Sequence, residues 1–189
     1  MYLRQEASIT TDRLWLRDFH LTDWPNVHIY ASDPEVSEFL EWGPNTELDS
    51  RRFVERATSL SYLDPRVDFE LAIISKFDEQ LIGAVSMHIE DKKNREGWLG
   101  YCLRRDYWGK GYATEAAYNL LHHSFDKLGM RRIYATVAPG NRASINVLEK
   151  VGMQHEGTLK SHKLVRGQWR DTELYAVLDH EFVPPRRFF

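Results

Sequence analysis

The residues best suited to chemistry lie in one short run, Trp108-Gly109-Lys110-Gly111-Tyr112-Ala113-Thr114-Glu115-Ala116. Two glycines flank a lysine just before a series of helix formers. Glycine costs chain entropy, so its use here points to a special backbone geometry or to a ligand close to the main chain. A glycine loop that follows a strand and opens a helix makes an anion site. The first-turn N–H groups are free and the helix dipole adds positive potential. Gly109 and Gly111 would admit a phosphate, and Lys110 would add charge at the rim. An ordinary tight turn is the competing reading. The P-loop pattern is not matched, because Tyr112 follows Gly111, and the dinucleotide fingerprint fails because Thr114 stands where its third glycine or alanine belongs. A phosphate held here would belong to another kind of ligand.

Other reactive side chains are few. Cys102 is the sole cysteine, so no internal disulfide can form. No Cys/His cluster has zinc spacing, and no metal is expected. Strand cysteines are usually small core residues. His122 and His123 fall mid-helix and suggest no catalytic role; His162 is either a group able to titrate near neutral pH or, as more often for a lone strand histidine, simply exposed or packed.

The elements around the glycine loop follow from periodicity. Asp12 to Phe19 alternates as a strand, and Thr22 is placed to cap a following helix. Thr46 to Leu63 is a second helical stretch, with Phe53, Ala57, Leu60 and Leu63 on one face. Phe39 to Pro44 breaks the chain between these helices. Three strands, Phe69 to Lys76, Leu81 to Asp91 and Gly97 to Arg104, are joined by short polar turns and predict an antiparallel meander. After the glycine loop, Ala113, Ala117, Leu120, Leu121, Phe125 and Leu128 share a helix face, and Gly129 ends it. Arg131 to Ala138 is a strand, Asn141 to Gly152 a short helix, and the remainder two strands around Arg166 to Gln168.

With 42% hydrophobic and 13% aromatic residues, the chain can build a real core. Its 189 residues suggest a single domain, with a core of about residues 10–180 and a C-terminal tail at 183–189. A net charge of −3 argues against nucleic acid and anionic membranes as partners. The N-terminal stretch lacks the apolar core of a signal peptide, and no run is long enough to span a bilayer; a soluble cytoplasmic protein is expected.

The run Arg104 to Ala116, the amphipathic helix and strand after it, and the segment Ala138 to Gly157 together resemble the GCN5-related N-acetyltransferases (GNAT). The order of elements is similar to that of their RimJ/RimL-type ribosomal-protein branch over Thr10 to Leu178. The resemblance implies an α+β GNAT fold: a mostly antiparallel sheet of six or seven strands, flanking helices, and a splayed central pair, the fourth and fifth strands of the family. It implies acetyl-CoA as co-substrate. In the family loop Q/R-x-x-G-x-G/A, Gly111 and Ala113 match, while Trp108 replaces the Gln or Arg. The backbone from Gly109 through Lys110, Gly111, Tyr112 and Ala113 to Thr114 would cradle the pyrophosphate. Tyr101, Cys102, Leu103 and Arg104 match the strand that carries the pantetheine arm, with a backbone N–H near Tyr101 or Cys102 polarising the thioester carbonyl. Asn141 would touch the same arm besides capping its helix. Ser144 either helps the thiolate leave or is a solvent-facing first-turn residue.

The implied reaction is direct attack of a primary amine on acetyl-CoA in a ternary complex. The acceptor is a protein N-terminus, such as that of a ribosomal protein, or a small amine. A non-catalytic CoA-binding sensor or regulatory module is the alternative. No base is assigned. The family's strand acid falls at Trp98, a carboxylate of close relatives falls at Lys163, and Asp171 either acts as an acid or orders its hairpin, so proton removal through water is favoured. Phe39, Trp42 and Trp169 would wall the acceptor site, with Glu38, Glu41 and Glu47 attracting a cation; a solvated loop with a packed Trp is the competing reading. Family members are often dimers, so a homodimer is compatible.

Overall fold

The computed structural model describes residues 8–183. Of the expected tail, Pro184 to Phe189 lies outside them. Eight strands form one sheet, in the order β1-β2-β3-β4-β5-β6-β8-β7. They are β1 (Ser8–Thr10), β2 (Leu14–Asp18), β3 (Asp68–Ser75), β4 (Leu81–Asp91), β5 (Glu96–Leu103), β6 (Arg132–Val137), β7 (Gln154–Val165) and β8 (Gln168–Leu178). Every neighbouring pair is antiparallel except β5 and β6. The expected α+β class holds. The count exceeds six or seven partly because β1 has three residues, too few for an alternation to register in sequence.

Helices cover both faces. On one side lie α1 (Trp24–Ala31), α2 (Pro34–Ser37) and α3 (Glu47–Leu60); on the other lie α4 (Tyr112–Asp126) and α5 (Arg142–Lys150). Phe19, Val27, Tyr30, Val54 and Ala57 pack on Ala72, Ile74 and Ala84 of the first face. Leu120, Leu121 and Leu148 pack on Leu16, Leu71 and Val85 of the second. Burial on both faces explains why β3 and β4 read as apolar runs rather than alternating ones.

Two local expectations need correction. Thr22 does not cap α1. It lies inside a tight turn, Leu21–Asp23, where the Asp23 carboxylate accepts from the His20 N–H at 2.8 Å and pairs with Arg17. Asp23 is the N-cap residue of α1, but its carboxylate closes the preceding turn and makes no capping bond to the helix. The second helix stops at Leu60, and Leu63 lies beyond it, 51% exposed. Its start was legible: Thr46 Oγ1 accepts from the Asp49 N–H while the Asp49 carboxylate accepts from the Thr46 N–H.

The helix after the glycine loop is fixed to the sheet by Glu115, whose side chain is 2% exposed. Its carboxylate accepts from Thr11 Oγ1, from the Arg13 N–H at 2.8 Å and from Arg13 Nε at 2.7 Å. Arg13 also donates to the Lys110 carbonyl at 3.0 Å, so one arginine ties β2 to both the loop and α4. Removing a fully partnered buried carboxylate strands its donors. Glu115→Ala should therefore destabilise the fold by about 3 kcal/mol, measured by chemical denaturation.

Candidate active site

The sheet splits in its middle. β5 and β6 pair only at Glu96↔Arg132, Gly97↔Ile133 and Trp98↔Tyr134. Beyond that point β5 stays on β4 as far as Leu103, and β6 stays on β8 as far as Val137. A cavity of about 920 Å³ occupies the opening. Its lining comes from both faces: Tyr30 and Ala31 from α1, and Asn141, Ser144 and Leu148 from α5 and its cap. The opening thus connects the two sides of the sheet.

Strand geometry decides which backbone groups face the gap. The Arg104 N–H donates to the Ile82 carbonyl at 2.8 Å. In an antiparallel pair this orientation alternates, so Cys102 and Gly100 also turn their backbone toward β4. Leu99, Tyr101 and Leu103 turn theirs to the gap. The Leu103 carbonyl is already taken by Trp108 Nε1 at 2.9 Å. Tyr101 lies beyond the last β5–β6 pair, so its backbone groups face the opening, as a bound chain with amide groups requires.

At the end of this strand segment lies the glycine loop. Gly109 and Gly111 have φ of +72° and +79°, a left-handed conformation that side-chain-bearing residues rarely adopt. Gly111 is the N-cap of α4 and no side chain caps this helix. By contrast Asp33, Thr46 and Asn141 cap α2, α3 and α5 with their side chains. The free first-turn donors of α4 fit an anion. Lys110 Nζ donates to the Asp106 carbonyl at 2.8 Å and lies over the Tyr107 ring, so its charge is partly committed within the loop. Arg104 pairs with Asp106 at 2.6 Å.

Tyr101 and Ser144 meet across the opening. The Tyr101 hydroxyl donates to the Ser144 carbonyl and meets Ser144 Oγ, both at 2.9 Å. Ser144 is half-buried rather than solvent-facing. Its N–H donates to Asn141 Oδ1 at 3.1 Å, so the cap fixes the serine. Burial holds the Tyr101 phenol well above its ordinary range. Burial also pushes the Cys102 thiol up to about 12, so it stays protonated and is no nucleophile at neutral pH.

Of the expected acceptor wall, Phe39 and Trp42 line the cavity and Trp169 does not; it is 66% exposed. The neighbouring arginines act instead. Arg166 donates to the Ser37 and Gly43 carbonyls at 2.9 and 3.0 Å, and Arg170 to the Phe39 carbonyl at 2.9 Å. They tie the β7–β8 hairpin to the loop over the cavity. Glu41 lines the cavity, paired with Lys163 at 3.3 Å, while Glu38 and Glu47 lie outside its lining. Asp171 orders the hairpin, its Oδ1 accepting from the Ser161 N–H at 2.7 Å. His162 lines the cavity and contacts Thr172 Oγ1 at 2.7 Å.

Sequence reasoning missed Glu70. It lies on β3 and lines the cavity, and burial raises its carboxyl pKa to about 7 despite the opposing Arg56 charge. The signal was an acid between Phe69 and Leu71, inside an otherwise apolar run. Among the described residues no group of three or more His, Cys, Asp or Glu is placed to hold a metal ion. No helix among them is long and apolar enough to cross a membrane.

A family model described as an acetyltransferase (GNAT) domain matches residues 13–154. The uncharacterized N-acetyltransferase p20 of Bacillus licheniformis is 32% identical over 176 residues, covering 93% of this chain and 98% of its own. The ribosomal protein uS5-alanine N-acetyltransferase of Escherichia coli (strain K12) is 26% identical over 188 residues, covering 96% and 95%. The crystal structure of a GNAT-family acetyltransferase from Bacillus anthracis matches with a TM-score of 0.82 at 32% identity, covering 93% of this chain and 100% of that one.

The raised Glu70 carboxyl has a stability consequence. Its folded pKa of about 7 exceeds the ordinary 4.5, so between these values the folded state binds the extra proton. Stability therefore falls as pH rises through this window. The opening onto the cavity softens the full effect. Wild-type protein should lose about 2 kcal/mol more than Glu70→Gln between pH 5 and pH 8, read from urea denaturation at each pH.

Proposed function

Since the chain belongs to the GCN5-related N-acetyltransferase (GNAT) family and is an acyltransferase, similar to its RimJ/RimL-type branch, we propose that it transfers the acetyl group of acetyl-CoA to a primary amine by direct attack in a ternary complex. The observation that carries this is the split between β5 and β6, with free backbone groups on one strand and an uncapped helix N-terminus at its end. An extended amide-bearing arm ending in a diphosphate matches that pair of features.

The N–H groups from Gly109 to Thr114 hold the pyrophosphate. The pantetheine arm pairs along Leu99 to Leu103, with Asn141 beside it. The Tyr101 N–H polarises the thioester carbonyl and stabilises the oxyanion as the amine adds. As the C–S bond breaks, the Tyr101–Ser144 hydroxyl pair supplies a proton to the thiolate. Burial keeps the phenol protonated at neutral pH, so the hydroxyl pair holds a proton there.

The acceptor enters from the α1–α3 side, beneath Phe39 and Trp42. Its class is a protein α-amine or a small-molecule amine. The likeness to a uS5-alanine N-acetyltransferase supports the former.

Calorimetric titration should show micromolar acetyl-CoA binding and weak ADP binding. Gly111→Val, forced into a left-handed conformation that costs about 1–2 kcal/mol, should stay folded by circular dichroism and lose acetyl-CoA binding. Unchanged affinity in the folded variant would sink the loop assignment. Tight binding without turnover on any amine would leave a CoA-binding module. With an active acceptor, Ser144→Ala should lower kcat about 10- to 100-fold and leave the acetyl-CoA Kd in place.

A further inference from the structure

We propose that Glu70 is the proton acceptor of the reaction, taking a proton from the acceptor ammonium as the nitrogen is readied for attack. The proposal rests on the acetyl-transfer reading above. It places the base on β3, two strands from Trp98, where the family's strand acid would fall.

Four other acids line the cavity, and each is committed. Asp49 bonds Thr46, Glu41 pairs with Lys163, Asp68 contacts His88, and Glu90 accepts from the Tyr134 hydroxyl. Glu70 is different: among the described residues no hydrogen bond or ion pair engages its carboxylate. A largely enclosed acid with no partner inside the fold, facing a cavity, is a group held ready for something that enters it.

Its row across the sheet leads toward the reacting centre, with the Trp98 ring lying over Gly100. Glu70 stands opposite Ser86 on β4, and Ser86 opposite Gly100 on β5. The intervening residues are small. A Cβ built at Gly100 would come within 3.0 Å of the Trp98 ring and 3.1 Å of Ser86 Oγ, so a larger residue would crowd this row. Gly100 directly precedes Tyr101, whose N–H faces the gap.

The groups facing Glu70 come from five elements: Arg56 from α3, Asp68 from β3, His88 from β4, Tyr30 from α1 and Cys102 from β5. Burial keeps Tyr30 and Cys102 protonated through neutral pH, so Arg56, His88 and Asp68 set the local charge. A base with a proton affinity centred near pH 7 suits neutral operation.

The protons balance. The ammonium loses its first proton to Glu70, which passes it to solvent through the cavity. The neutral nitrogen bonds to the carbonyl carbon and the C–S bond breaks. The second nitrogen proton reaches the departing sulfur through the Tyr101 and Ser144 hydroxyls.

The test compares wild type, Glu70→Gln and Glu70→Asp with acetyl-CoA and two acceptors of different amine pKa, an alanine-initiated hexapeptide and spermidine. Steady-state rates are taken across about pH 5.5–9.5, and acetyl-CoA affinity by calorimetry. Expected is a loss of about 100-fold or more in kcat for Glu70→Gln, with acetyl-CoA affinity kept within about twofold. Wild type should show an acidic limb near pH 7 at the same position for both acceptors. The limb should vanish in Glu70→Gln, whose residual rate follows the free-amine fraction, and return at reduced rate in Glu70→Asp. A Glu70→Gln variant that keeps both rate and limb overturns this proposal and leaves the acetyl-transfer reading standing. Wild type inert toward both amines overturns that reading, and this one with it.

Discussion

The sheet hydrogen bonds that β5 and β6 do not make beyond Trp98 and Tyr134 are the constraint on which the site depends. Backbone groups inside a protein need partners, and a sheet normally supplies them. Here β4 and β8 continue to hold the outer edges of the two diverging strands. The inner edges are left for a ligand. The open stretch has a definite end, because the Trp108 indole takes the Leu103 carbonyl. That bond gives a physical role to the residue that replaces the family's Gln or Arg: it closes the strand edge just before the glycine loop begins.

The two sides of the split are held by different means. On the α4 side, Glu115 and Arg13 lock β2, the loop and the helix together. The loop can then present bare N–H groups without fraying. On the opposite side, Arg166 and Arg170 reach more than 120 residues back along the chain to the carbonyls of Ser37, Phe39 and Gly43. Guanidinium groups suit this because one planar fork can satisfy several carbonyls at once. The α1–α3 side of the cavity is therefore roofed by a loop whose shape is set by the last hairpin.

These long-range contacts mark where sequence reading ran out. The meander, α4 and the glycine loop were legible because each is defined by spacing within a short window. The Asn141 cap was legible for the same reason. The two strands of the last hairpin and their turn were legible too, but which of their side chains face the cavity was not. A shift of one residue sends every side chain of a strand to the other face. β7 carries register shifts between His155 and Gly157 and between Leu159 and Lys163. Trp169, which looked like a wall, ended on the solvent side, and its neighbour Arg170 made the contact. Thr22 failed on a smaller scale, since residue preference alone could not rank it against a carboxylate one position along.

Glu70 was hidden for a related reason: a sheet gives residues distant in sequence the same lateral position. Adjacent strands lie about 4.8 Å apart, so β3 stands about 10 Å from β5. In register, only Ser86 and Gly100 stand between the glutamate and the split. The depth has a chemical effect as well. A carboxylate in contact with bulk water keeps an ordinary acidity. Two strands further in, under α1 and α3, it loses enough hydration to hold a proton up to about pH 7. Set back from the split, the acid therefore gains the affinity that proton removal from an ammonium needs, while the small row toward Gly100 keeps it within reach.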